Sequence, residues 1–146
     1  MNTIISPFQK LLPLQLYEIL RLRSEVFVVE QNCIFLDMDD KDQMAMHLLI
    51  YENDILIAYT RLYKKGQYYA EASIGRVVVN PKYRHKKIGH ILMKESITAI
   101  EVLFHDTIIR IGAQCYLLNF YKSHGFVVDG EVYLEDGIEH VEMIRN

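Results

Sequence analysis

Cysteine is scarce in this chain. The 146 residues contain two, Cys33 and Cys115, far apart and without CxxC spacing, which excludes a disulfide framework and leaves two reduced, buried thiols as the expectation. The six histidines are scattered, with no HExxH and no Cys/His cluster of ligand spacing, so no structural or catalytic metal is expected. No window approaches the roughly 18 unbroken apolar residues of a membrane span, and Met1 to Lys10 lacks both an apolar h-region and a small-residue cleavage site. A cytoplasmic chain with no membrane partner is the expectation. An excess of positive charge is missing too: the formal net charge is -3, which argues against nucleic acid as a partner. There is no repeat, no low-complexity tract and no serine in a G-x-S-x-G elbow.

What is present is ordinary globular material. Half the residues are hydrophobic (51%) and a quarter charged (24%), enough for one domain over residues 1–146 to bury its own core. Apolar residues at Leu16, Ile19, Leu20, Val26 and Phe27 predict an amphipathic helix between Pro13 and Glu30. "DMDDKDQM" (Asp37 to Met44) reads as a polar connection. "HLLIY" and "ILIAYTRLY" flank Asn53 and Asp54 as a hairpin-like pair of strands. "EASIGRVVVN" (Glu71 to Asn80) is a central strand stopped by Pro81. A helix follows over Ile88 to Phe104, then a strand in "TIIRIGAQC", a short helix in "YLLNFYKSHGF" closed by Gly125, and two strands on either side of "EDGI". This order predicts an α/β or α+β domain, a mixed twisted sheet flanked by helices.

One stretch asks for a ligand. Between Lys82 and Lys94 there are five Lys or Arg and no Asp or Glu, where a solvated helix face would intersperse carboxylates. The run sits where a buried strand turns into a helix, and exposed N–H groups at such a terminus hold phosphate. Charge alone does not separate this from a solubilising turn.

Spacing does more. Arg84-His85-Lys86-Lys87-Ile88-Gly89 resembles the Gln/Arg-x-x-Gly-x-Gly/Ala turn of the GCN5-related N-acetyltransferases, whose main-chain amides hold the pyrophosphate of coenzyme A. Lys87 stands at the first glycine of that pattern, and a first-turn helical conformation is expected there. "LLNFYKSHGF" (Leu117 to Phe126) is similar to the aromatic helix that follows the next strand in these enzymes. "RLRSEVFVVEQNC" (Arg21 to Cys33), "SIGRVVV" (Ser73 to Val79) and "YLEDGIEHVEM" (Tyr133 to Met143) resemble the ElaA-type branch, with Ile34 and Glu139 where that branch commonly has proline. "RSEVFVVEQ" also looks like the opening of acyl-homoserine lactone synthases, although the basic turn fits coenzyme A better.

The resemblance implies acetyl-CoA as co-substrate and direct attack by an amine of a small molecule or a protein, with no protein nucleophile. Its cofactor-binding positions here are Val77, Val78, Val79, Arg84, His85, Lys86, Lys87, Ile88, Gly89, His90, Asn119 and Tyr121, with the Val78 N–H polarising the thioester and Tyr121 protonating the leaving thiolate. Glu30, Glu135 and His140 are candidates for managing the acceptor's proton. Arg61 and Arg76, inside apolar strand patterns, are either paired with a buried carboxylate or face the cleft, where they would favour an anionic acceptor. The alternative class is a coenzyme A-binding sensor without turnover. A homodimer through exposed strands is a further expectation.

Overall fold

The computed structural model describes residues 1–146. Eight strands form one sheet in the order β1-β2-β3-β4-β5-β8-β6, with β7 pairing β8. Strand β1 (Asn2–Pro7) is an edge strand against β2 (Met46–Glu52), which forms an antiparallel hairpin with β3 (Ile55–Tyr63) around the left-handed Asn53 and Asp54. Strand β4 (Ala72–Val79) runs antiparallel to β3 and parallel to β5 (Ile109–Gln114), the two joined by helix α2 (Ile88–Phe104). Helix α3 (Leu118–Lys122) and the strands β6 (Val127–Val128), β7 (Tyr133–Glu135) and β8 (Ile138–Arg145) complete the chain.

Strand alternation sorts the core onto two faces. Leu48 and Ile50 pack with Leu92, Met93 and Ile100 of α2, whereas the intervening Leu49 packs with Ile19 and Leu22 of α1 (Pro13–Arg23) on the other face. Both helices are therefore held by fully buried aliphatic side chains, each contributing about 2 kcal/mol by area removed from water. The expected helix to Glu30 changes character at Ser24. Ser24–Glu30 is a π-helix, and its bonding runs on past its end, with Gln31 N–H donating to Val26 O and Cys33 N–H to Val28 O five residues back.

Two features bend the sheet where a site is needed. Along β4, Val78 pairs with Tyr59 and Gly75 with Arg61, so three steps on β4 face two on β3. The extra residue is a bulge, with Arg76 at φ 49°, a conformation that β-bulges usually give to glycine. Just before it β4 leaves β5: the parallel ladder is limited to Ala72 with Ile109 and Ser73 with Arg110. A gap opens between the two strands from Ile74 and Ile111 onward.

The bulge is clamped from outside the sheet. Asp37 accepts from Arg76 Nε (2.8 Å) and Arg23 Nε (2.7 Å), Asp42 from Arg23 (2.7 Å) and Arg61 (2.9 Å), and Asp39 from Arg61 (2.6 and 2.8 Å). Arg23 and Arg61 have no exposed surface. The stretch Asp37 to Met44 is thus the anionic plug of a buried ion network rather than a simple connection. The two thiols, expected to be buried, are half-buried and free; Cys33 donates to Asp136 O at 3.1 Å.

Candidate active site

The gap between β4 and β5 deepens into a cleft of about 480 Å³. Its floor is the diverging strands, one wall is the turn into α2, and the opposite wall is the β7–β8 hairpin. The π-helical segment crosses its mouth and ties the walls together. Glu30 accepts two hydrogen bonds from Arg84 (2.6 and 3.0 Å), Gln31 and Gln114 exchange amide hydrogen bonds (3.1 and 3.4 Å), and Cys33 reaches the Asp136 carbonyl.

On the α2 wall the chain passes through a 3-10 turn, Pro81–Lys86, before α2 begins. Asn80 caps that turn by accepting from Lys82 N–H at 3.1 Å. Lys87 does not take the first-turn helical conformation expected of it. It lies in the left-handed region at φ 57° and ψ 26°, because the backbone reverses there from the end of one helix into the start of the next. The main chain thus has the shape a glycine would give, at a cost of about 1 kcal/mol for a residue with a Cβ. The Lys87 ammonium makes no ion pair, whereas Arg84 is taken by Glu30 and Lys86 lies 3.7 Å from Glu52. Lys87→Gly should therefore raise stability by about 1 kcal/mol, read as a later urea midpoint, while weakening binding of a phosphate ligand through the lost cation.

The donors of the floor follow from the ladder. Asn80 N–H donates to Ile57 O at 2.8 Å, so antiparallel alternation turns the Val78 N–H toward β3 and those of Val77 and Val79 toward the gap. Val78, expected from sequence as a donor, thus turns its N–H away from the gap, and its side chain packs against α1. Gly89 lies under the Phe120 ring, where an added Cβ would meet it at 3.4 Å. Gly112 is tighter: a Cβ there would come within 2.9 Å of Tyr133 Oη and 3.1 Å of Tyr69 Oη.

Tyr121 stands at the inner end. It is 5% exposed, its hydroxyl bonds to no protein group, and burial pushes its pKa well above the usual phenol range. The helix carrying it ends at Gly125, φ 90°, with Phe126 N–H donating to Tyr121 O. On the hairpin wall His140, 6% exposed, stacks on Tyr133, and its Nδ1 lies 2.7 Å from Ile138 O. A carbonyl only accepts, so Nδ1 carries a proton, and Nε2 lies 3.5 Å from Glu135 Oε2.

Of the residues singled out from sequence, Val77, Val78, Val79, Arg84, Lys87, Gly89, His90, Tyr121, Glu30, Arg76, Glu135 and His140 line this cleft. His85, Lys86, Ile88 and Asn119 do not: Ile88 is in the core and Asn119 is an exposed position of α3. Arg61 is corrected as a substrate contact. It is buried in the Asp39/Asp42 network, where burial works against the charge but the two carboxylates outweigh it and raise its pKa. Asp37, Gln31, Gln114, Tyr69 and Tyr133 were not found from sequence, since their partners lie far along the chain and no local period reports them.

With this geometry in hand, the chain compares closely with known proteins. The family model described as an acetyltransferase (GNAT) domain matches residues 24–146. The protein ElaA of Escherichia coli K12 is 43% identical over 133 residues, 90% of this chain and 87% of ElaA. The crystal structure of E. coli ElaA superposes with a TM-score of 0.91 at 39% identity over 99% of both chains. An acyl-CoA N-acyltransferase from Pseudomonas aeruginosa does so with a TM-score of 0.93 at 37% identity over the whole of both.

Proposed function

Because the chain belongs to the GNAT acetyltransferase family, in its ElaA-type branch, we propose that it transfers an acetyl group from acetyl-CoA to a primary amine by direct attack. The observation that carries this reading is the open floor between β4 and β5, with the Val77 and Val79 N–H groups facing the gap and an unpartnered Tyr121 hydroxyl at its inner end. Such a floor suits an extended thioester: its donors stabilise negative charge growing on the carbonyl oxygen as the amine adds. The turn at Lys87 and the start of α2 offer main-chain N–H groups and the uncommitted Lys87 charge to the diphosphate.

Proton accounting sets the remaining roles. An amine that arrives as an ammonium loses two protons overall: the first goes to solvent before the free amine attacks, and the second ends on the leaving sulfur as the N–C bond replaces the C–S bond. His140, lining the cleft with Glu135 placed to stabilise its imidazolium, takes the first. Tyr121 hydrogen-bonds the sulfur. The same burial that lifts the phenol pKa also lifts that of a thiol beside it, which works against any widening of the roughly 2 kcal/mol gap between reference phenol and thiol pKa values.

Calorimetry with coenzyme A and release of free thiol from acetyl-CoA across a panel of primary amines test this. Saturable binding and amine-dependent thiol are expected. Folded protein that takes up no coenzyme A would overturn the reading, and uptake without amine-dependent thiol would make the protein a coenzyme A sensor instead.

A further inference from the structure

The net charge of -3 conceals a division of charge across the cleft. The turn from Lys82 to Lys94 is wholly basic, whereas the stretch from Ser123 to Ile144 has six carboxylates and no Lys or Arg. Two of the six, Asp129 and Glu142, share the single charge of Arg110 with Glu71, at 2.7 and 2.9 Å. Glu131, Asp136 and Glu139 pair with no cation, and the sole partner of Glu135 is the His140 imidazole. Two of the cleft's cations are already committed, Arg76 to Asp37 and Arg84 to Glu30, and the third, the unpaired Lys87, lies on the other wall at the turn into α2, where the diphosphate is placed. An anionic acceptor would thus meet no free guanidinium and two uncompensated carboxylates, Glu135 and Asp136, on the lining of the cleft.

The acidic wall belongs to a cavity already marked for a ligand by a second observation. Tyr121 is 95% buried (5% exposed) and aims an unpartnered hydroxyl into it. The β7–β8 turn lines the same cleft as Tyr121, and the field of its carboxylates concentrates cations there and repels anions.

We propose, resting on the acyltransferase reading above, that the acceptor is a small aliphatic amine bearing a second positive charge, whose distal cation lies against Glu135 and Asp136 while its reacting nitrogen meets His140. Specificity then comes from the hairpin wall and affinity for the other substrate from the basic turn, so the two are separable by mutation.

Three amines of one chain length isolate the charge: 1,4-diaminobutane, butylamine and 4-aminobutanoate. Thiol release from acetyl-CoA should show kcat/KM falling in that order, by about tenfold or more from first to last at low salt, and the order should flatten at 0.5 M salt, where the Debye length is only a few Å. Asp136 sits at φ 53°, a conformation that asparagine tolerates, so Asp136→Asn preserves the turn. It should lower the ratio of kcat/KM for the diamine to that for butylamine about two- to fivefold. Equal or better use of 4-aminobutanoate, or a diamine preference indifferent to salt and to Asp136→Asn, overturns the proposal. So does coenzyme A binding with thiol release from none of the three. Failure to bind coenzyme A at all would instead remove the acyltransferase reading beneath it.

Discussion

Tyr121→Phe should lower amine-dependent thiol release by about two to three orders of magnitude while leaving coenzyme A affinity and the urea midpoint close to those of the unsubstituted protein. The separation follows from the surroundings of the hydroxyl. It has no hydrogen-bond partner in the protein, so its removal strands no buried group and costs the fold nothing through unmet pairing. The ring stays, and with it the edge-to-face contacts to Phe120 and Phe126 at 5.1 and 6.0 Å. What is lost is the proton donor that the proposed mechanism sets beside the leaving sulfur. Because burial holds the phenol pKa above its usual value, Tyr121 keeps its proton through the neutral and mildly alkaline range and contributes no falling limb there. A rate that survived Tyr121→Phe unchanged would remove the residue from the chemistry and leave water as the acid.

The largest loss of stability is expected at Asp42→Ala. Its carboxylate joins Arg23 and Arg61, neither of which has any exposed surface, and its removal leaves two buried guanidiniums short of a partner in a network where Arg61 Nε already has none. The expected cost is about 3–5 kcal/mol, a large share of the stability of a domain this size, measured as a fall in the urea midpoint. His47 would keep its own bonds, since its Nε2–H donates to the main-chain carbonyl of Asp42 at 2.8 Å, which alanine retains, and its Nδ1 accepts from Tyr59 Oη at 2.6 Å. The pH dependence has a definite sign. Burial alone would raise the Asp42 pKa, but the Arg23 and Arg61 guanidiniums outweigh it and hold the carboxyl below its usual range; Asp39 is held down likewise, chiefly by Arg61 against its own burial. Carboxyls depressed in this way stabilise the fold fully above the unfolded value near 3.9 and lose that contribution as pH falls through the folded one. The unsubstituted protein should lose stability steeply below about pH 4, and the Asp42→Ala variant less steeply.

The parts legible in the sequence are those written in local pattern. Strand β3 and helix α2 run over Ile55–Tyr63 and Ile88–Phe104 as the apolar spacing indicates, and the basic run does lie on the wall of the cleft. The unread parts depend on partners distant in sequence. Asp37, Asp39 and Asp42 look like a hydrophilic connection because their cations are up to 39 residues away. The demand of Arg61 and Arg76 for carboxylates was readable from their apolar setting; the identity of the carboxylates was not. At Lys87 the side chain itself misled, since lysine favours a helical backbone and the reversal that forces a left-handed one is set by the two helices it joins. Strand β1 has only β2 beside it, and its six residues carry too short an alternation to stand out.

The π-helical turn at Ser24–Glu30 fixes the length of its own segment. Each residue of an α-helix advances about 100° around the axis, and a π turn holds one more residue than the α turn it replaces. A one-residue deletion here would let the turn relax to ordinary winding and swing Glu30, Gln31 and Cys33 away from Arg84, Gln114 and Asp136 together. Variation among homologous chains should therefore change the letters between Ser24 and Cys33 while preserving their number.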